Sequence, residues 1–179
     1  SMLTYSATVL RKNVTRDLSR PDVILGSSVH PFAVWSASRL ALRFRVPFIF
    51  EIRDLWPETL IAMGRIRRHG PIAFGMRILE RRLLCAASHV VVLLPQAGNY
   101  LRPLGVSEGK ISWIPNGVDL AGYGEPTEPS EKSTFTFMYF GGLTQATGLT
   151  CLVDACDRLR SIGASHLRVR VVGDGPMKP

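Results

Sequence analysis

The sequence predicts an α/β fold, a Rossmann-like parallel sheet with helices on both faces, and three observations carry that expectation. Short apolar runs recur along the chain: D-V-I-L-G at 22–26, P-F-I-F-E-I at 47–52 and the five apolar residues Val90–Leu94. Helical patterns of about 10 to 17 residues separate them, which is the length that joins parallel strands through right-handed βαβ crossovers. The third observation is I-S-W-I-P-N-G-V-D at 111–119, where a β-prone run stops at Pro115 and Asn116-Gly117 offers the positive φ of a tight turn. A Gly/Pro/Glu-rich passage follows from Gly122 to Lys132, and the strand-helix pattern resumes at Phe135. Pro115–Gly117 therefore reads as a domain exit or, on turn chemistry alone, as a surface turn within one domain.

The elements follow in order. Val9, Leu10, Val14 and Leu18 are spaced along one face of a helix over Thr4–Leu18. Asp22–Gly26 is a buried strand between Pro21 and Ser27-Ser28. Pro31 suits a first helical turn, and the helix runs to about Arg45 with Phe32, Trp35, Leu40 and Phe44 available for the core. Pro47–Ile52 is the next strand. Pro57 and Glu58 place a proline and a carboxylate where a helix N-terminus favours them, so a short helix covers Pro57–Met63 and Gly64 ends it. A longer helix spans Pro71–Ala87, and Val90–Leu94 is a central strand. Pro95–Leu104 is helical, with Gly105 as its terminator. After the exit, Thr134–Phe140 is a strand, Leu149–Ile162 a helix and Leu167–Val172 a strand leading into Gly173-Asp174-Gly175-Pro176.

Composition narrows the class. Hydrophobic residues make up 46% and charged residues 20%, the balance of a globular chain with a buried core. Lys and Arg number 22 against 14 Asp and Glu, a net charge of +8 that suits phosphate-bearing ligands, nucleic acid or an anionic membrane face. Nucleic acid is not the expected partner, because aromatic and basic residues do not interleave on one face. Cys85, Cys151 and Cys156 lie inside apolar helical patterns and read as buried free thiols of a reducing compartment. His30, His69, His89 and His166 are scattered without metal-ligand spacing, so no metal site is expected. No apolar run reaches the roughly 18 to 20 residues of a membrane span.

In parallel sheets ligands bind at the carboxyl ends of the strands. Here those ends are Ser27-Ser28-Val29-His30, Arg53-Asp54, Pro95-Gln96, Gly141-Gly142 and Gly173-Asp174-Gly175. Gly141–Gly148, G-G-L-T-Q-A-T-G, joins a strand to a helix. Its glycines let backbone approach a ligand, and the helix N-terminus presents free N–H groups to a phosphate. It is neither a G-x-G-x-x-G fingerprint nor a Walker loop, and a double glycine at such a turn also serves packing alone. At the second candidate, Asp54 could orient a hydroxyl and Arg53 neutralise a phosphate. The alternative has Asp54 capping the next helix and Arg53 paired with Glu51 or Glu58. His30 is a proton carrier or an anion donor on one reading and a backbone hydrogen-bonder on the other. Arg65, Arg67, Arg68 and His69, followed by Arg77, Arg81 and Arg82, interleave with Ile66, Ile72, Phe74, Met76, Ile78 and Leu79. Such a tract fits a membrane interface or a solvated helix face, and for Arg77–Arg82 the solvated face is the favoured reading.

Six stretches resemble the GT-B glycosyltransferases of group 1 (family 4), most nearly the branch that includes fucosamine transferases of surface polysaccharide pathways. They are D-V-I-L-G-S-S, P-F-I-F-E-I-R-D-L-W-P-E, L-E-R-R-L-L-C-A-A-S-H-V-V-V-L, K-I-S-W-I-P-N-G-V-D, Y-F-G-G-L-T-Q-A-T-G-L and V-V-G-D-G-P. The resemblance implies two Rossmann-like halves: residues 3–117 as most of the acceptor-side half, 118–133 as a linker, and 134–179 as the start of the nucleotide-sugar half. It implies a retaining transfer from a nucleotide-sugar to a polyprenyl-diphosphate-linked saccharide acceptor, without cofactor or metal. Catalytic positions would be Asp54 and Arg53; donor-binding positions Gly141, Gly142, Thr144, Gly173, Asp174 and Gly175; acceptor-side positions Ser27, Ser28 and His30. Arg65, Arg67 and Arg68 would contact an anionic membrane surface, and the expected location is cytoplasmic, peripheral on the inner face of the membrane.

Departures from the family pattern are also visible. Arg53 stands where many relatives have histidine, and Gly142 and Thr147 stand where many have an arginine and a lysine. The E-x7-E region that holds the donor would lie beyond Pro179, so the resemblance implies an inactive fragment whose two C-terminal strands dock on the first half or pair with another copy, giving a homo-oligomer. The alternative function is a non-catalytic module, derived from a glycosyltransferase, that docks on a membrane or a partner.

Overall fold

The computed structural model describes residues 2–11, 15–16, 18–28, 30–124 and 134–178. The chain divides into two compact units, Ser1–Asp119 and Leu120–Pro179. The first is built on a four-stranded parallel sheet in the order β1 (Ile24–Ser27), β2 (Phe48–Ile52), β3 (His89–Val92), β4 (Ile111–Trp113). Sequence order equals spatial order, so every crossover steps to the adjacent strand. Gly26 pairs with Phe50, Phe50 with Val90, and Val90 with Ile111, which aligns the carboxyl ends of the strands along one edge.

Helices α1 (Met2–Val9), α2 (Pro31–Phe44), α3 (Glu58–Ala62), α4 (Pro71–Ala86) and α5 (Ala97–Leu101) complete this unit. Phe48, Phe50, Ile52, Val90 and Val92 from the central strands meet Val34 and Ala41 of α2, Leu83 and Leu84 of α4, and Leu101 of α5 in one core. Gly26 lets α2 approach the sheet, since a Cβ there would lie 2.9 Å from both Ala37 Cβ and Phe48 Cε2. That closeness explains which face α2 buries. The expected Phe32, Trp35, Leu40 and Phe44 do not fill the core; Trp35 is exposed and the others half-buried, while Val34, Ser36, Ser38 and Ala41 are buried. Small side chains fit against a glycine, and the buried hydroxyls are satisfied locally. Ser36 donates to Phe32 C=O at 3.0 Å and Ser38 to Trp35 C=O at 2.8 Å.

Other expectations are corrected at element ends. The first helix stops at Val9; Val14 lies outside the described residues and Leu18 is exposed. The helix expected over Pro95–Leu104 is only Ala97–Leu101, followed by a 3₁₀ turn at Arg102–Leu104. Pro103 has no N–H to give an α-helical ladder, and Gly105 ends the turn at φ +90°. The third strand begins one residue early, at His89, and stops at Val92, leaving Leu94 exposed. The cysteines are free but not buried: Cys85 and Cys151 are exposed and Cys156 is half-buried. In α4 the buried stripe passes through Leu83 and Leu84, and Cys85 falls one position beyond it.

The second unit holds β5 (Phe135–Phe140), α6 (Leu149–Ser161) and β6 (Leu167–Val172). The two strands pair in parallel from Phe135 with Leu167 to Phe140 with Val172. Phe135, Phe137, Met138, Phe140 and Val171 are all exposed.

Candidate functional site

In the first unit the strand ends carry the polar groups. Ser28, which follows β1, donates its N–H to Glu51 C=O at 2.9 Å. Its hydroxyl oxygen accepts the N–H groups of Arg53 at 2.8 Å and of Asp54 at 3.4 Å. A side chain only 2% exposed thus ties the end of β1 to the loop after β2. Ser27 Oγ is buried with no partner among the described residues. His30 caps α2, its Nδ1 accepting from Ala33 N–H at 3.1 Å, with the Tyr5 ring edge-on at 6.0 Å.

The loop fixed by Ser28 presents Arg53 and Asp54 to solvent. The capping alternative for Asp54 is not seen: Pro57 precedes α3 and no side chain caps that helix. Nor does Arg53 take Glu58, whose carboxylate accepts from Arg77 Nη2 at 2.7 Å and Nε at 3.0 Å. Among the described residues no ion pair includes Arg53 or Asp54. Both charged groups are therefore available at the carboxyl edge of the sheet.

Beneath that edge lies a polar cluster absent from the sequence-derived candidates. Glu80 of α4 is 7% exposed, and the Tyr100 hydroxyl of α5 donates to its two carboxylate oxygens at 2.9 and 3.1 Å. Burial, partly offset by that hydrogen bond, pushes the Glu80 carboxyl up to about 7. Burial and the neighbouring Glu80 charge push the Tyr100 phenol up as well. Arg77, besides holding Glu58, donates to Arg68 C=O at 3.0 Å and so anchors the loop that carries Arg65, Arg67 and Arg68. Those three arginines are exposed, as are Ile72 and Phe74 at the start of α4. A signal for Glu80 was present: it stands seven residues after Ala73 and four before Leu84, on the stripe that α4 buries.

In the second unit the two glycine loops pack on each other. Gly141 N–H donates to Val172 C=O at 3.1 Å, and Leu143 N–H to Asp174 C=O at 2.9 Å. A Cβ on Gly173 would collide with Gly141 O, and one on Gly175 with Leu143 O. Close loop packing therefore accounts for Gly173 and Gly175. Gly142 is different, being exposed and open enough to accept a Cβ. Its carbonyl accepts from the Tyr139 hydroxyl at 2.8 Å and from Thr144 N–H at 3.1 Å. Thr144 leads into a 3₁₀ turn, Gln145–Thr147, which ends in left-handed Gly148 before α6. The Asp174 carboxylate accepts from Gly175 N–H and lies 3.5 Å from Lys178 Nζ.

A parallel sheet flanked by helices, with Arg53 and Asp54 exposed at its carboxyl edge, makes the first unit a Rossmann-like domain of the GT-B N-terminal kind. The family model described as glycosyl transferase 4-like domain matches residues 1–117, and the chain belongs to that family. Comparison with the curated proteins gives no match. Among the described residues no helix is long and apolar enough to cross a membrane.

Proposed function

We propose that the protein serves a retaining glycosyltransferase that moves a sugar from a nucleotide-sugar to a lipid-linked saccharide acceptor in surface polysaccharide synthesis. The observation that carries the reading is an exposed Arg53–Asp54, in no ion pair among the described residues, at the carboxyl end of β2 inside the stretch matched by the glycosyl transferase 4-like domain. On this reading Asp54 orients the acceptor hydroxyl and receives its proton, while Arg53 offers a planar, permanently charged fork to phosphate. Ser27 and Ser28 with His30 shape the acceptor side. In the second unit Gly142 and Thr144, held by Gly141 and by the Gly173-Asp174-Gly175 loop, face the donor diphosphate, and the start of α6 lends its partial positive charge to that leaving group. No cofactor or metal enters the scheme. In an intact transferase that contains this chain, Asp54→Asn keeps the size and removes the base, so transfer should fall about 100-fold or more; transfer at the wild-type rate would remove Asp54 from the reaction.

A second reading has the same chain dock on an anionic membrane at the cytoplasmic face. Exposed Ile72 and Phe74 beside Arg65, Arg67 and Arg68 favour it, apolar groups for the acyl boundary and cations for the phosphates. Flotation with vesicles containing phosphatidylserine checks it. Binding at low salt that Arg65, Arg67 and Arg68→Ala abolishes supports docking, and no binding by the wild type excludes it.

A further inference from the structure

Glu80 is the wall between two spaces. On one side is a cavity of about 310 Å³ lined by Glu58, Phe74, Arg77, Arg81 and Tyr100 among others. On the other is a gap of about 10 Å³ under the Arg53–Trp56 loop, lined by Ser28, Asp54, Trp56 and Met76 as well as Glu80. The Trp56 indole N–H is buried with no acceptor among the described residues. An indole nitrogen can only donate, and a buried donor without a partner costs about 1 to 3 kcal/mol. Across the gap stands a carboxylate with room for about four hydrogen bonds, on which the structure places one donor, the Tyr100 hydroxyl shared between its two oxygens. The gap is about the size of one water molecule.

We propose that Glu80 is a positioning residue for the acceptor-side loop: its carboxylate holds the Trp56 indole N–H through one bridging water and thereby sets where Asp54 stands. The proposal rests on the reading of Asp54 as part of the acceptor site. Ionised, Glu80 draws the indole N–H toward α4; protonated, it loses that pull and Trp56 is released. The charged and titratable groups around it are Tyr100 from α5, Glu58 from α3, Arg77 and Arg81 from α4 itself, and Asp54 from the loop. Tyr100 keeps its proton through the neutral range, because burial pushes its phenol further up. Glu80 is thus a group whose charge changes near neutrality beside this loop.

The chain has three tryptophans, so indole resonances are few and Trp56→Phe assigns the relevant one. A nitrogen-15 titration of the 179-residue protein from pH 5 to 9 should show the Trp56 indole signal moving with a midpoint near 7, with Trp35 and Trp113 unmoved. Glu80→Gln should abolish that movement. Tyr100→Phe should raise the midpoint, because it removes a hydrogen bond that favours the carboxylate. A Trp56 signal that does not titrate, or one whose midpoint both variants leave unchanged, overturns the proposal. If Glu80→Gln fails to fold, the Tyr100→Phe midpoint decides by itself. The readout needs no turnover, so an active Asp54→Asn would overturn the acceptor-site reading while leaving the Glu80–Trp56 link standing or falling on its own titration.

Discussion

The two units are written in the same grammar, strand, crossover helix, parallel strand, yet they bury their strands very differently. In the first, Phe48, Phe50, Ile52, Val90 and Val92 are each at most 5% exposed, because four strands give helices a surface wide enough to cover. In the second, β5 and β6 pair in full register over six residues, but Phe140 is 82% exposed and Phe137 51%. Hydrogen-bonded register is therefore satisfied by two strands, whereas burial is not. The contrast teaches that the pairing pattern follows from local β propensity, while stabilisation depends on how many neighbours share the face.

The largest test of that contrast is a pair of truncations. Leu84, fully buried in the first core, should cost about 2 to 5 kcal/mol when changed to Ala. Phe140→Ala should change stability by about 0.5 kcal/mol or less, since little of that ring leaves water on folding. All three tryptophans lie in the first unit, so urea unfolding followed by tryptophan fluorescence reads the first variant, and amide exchange of β5 and β6 reads the second. Equal losses would break the comparison.

Glu80 sharpens it from inside the well-packed unit. Its carboxyl binds a proton more tightly in the folded state, near 7, than at the ordinary 4.5. Between those values the native state holds more protons than the unfolded one, so this group's contribution to stability falls as pH rises through the window. The full loss is about 3 kcal/mol, since each pH unit between the two values is worth about 1.4 kcal/mol. The stabilities of the wild type at pH 5 and pH 7.5, read from urea unfolding, should differ by most of that, about 2 kcal/mol, more than those of Glu80→Gln. An identical pH dependence in both proteins would show that Glu80 is not held in the buried position described.

A smaller effect belongs to Gly26. Gly26→Ala places a methyl against Ala37 and Phe48, forcing α2 away from β1 and costing about 1 to 3 kcal/mol. A neutral result in the same urea experiment would mean that α2 can retreat freely, and that the small residues it buries do not matter.

Much of this was legible in the sequence because apolar runs and punctuation act locally. Pro31, Pro71 and Gly105 stand at the helix boundaries their chemistry favours. The face that α2 buries was not legible, since it depends on the approach that Gly26 of another element permits. The Phe and Trp of α2 looked like core because size is visible in a sequence and distance to the sheet is not. At the site, Arg53 and Asp54 could be placed from the strand-end rule, but two readings of their partners stayed open. Arg77, nineteen residues after Glu58, closed one of them by occupying its carboxylate. Glu80 was hidden for the opposite reason: its place on the apolar stripe was visible, and its partner Tyr100 on another helix was not.

The smallest effect compares one ion pair from each unit. Arg77–Glu58 closes at 2.7 Å with both side chains about one-third exposed, and Arg77 also holds Arg68 C=O. Lys178–Asp174 spans 3.5 Å with the two side chains 58% and 86% exposed. Solvent and salt screen the second pair, and holding a long lysine in one geometry costs side-chain entropy. Arg77→Ala should therefore lose about 1 kcal/mol, while Lys178→Ala should lie within the error of the measurement. Raising salt to about 1 M should shrink the Arg77 difference only in part, because the link to Arg68 C=O is a hydrogen bond to a neutral group. If the difference vanished completely in salt, Arg77 would act as a surface charge alone, and the loop bearing Arg65, Arg67 and Arg68 would need another anchor.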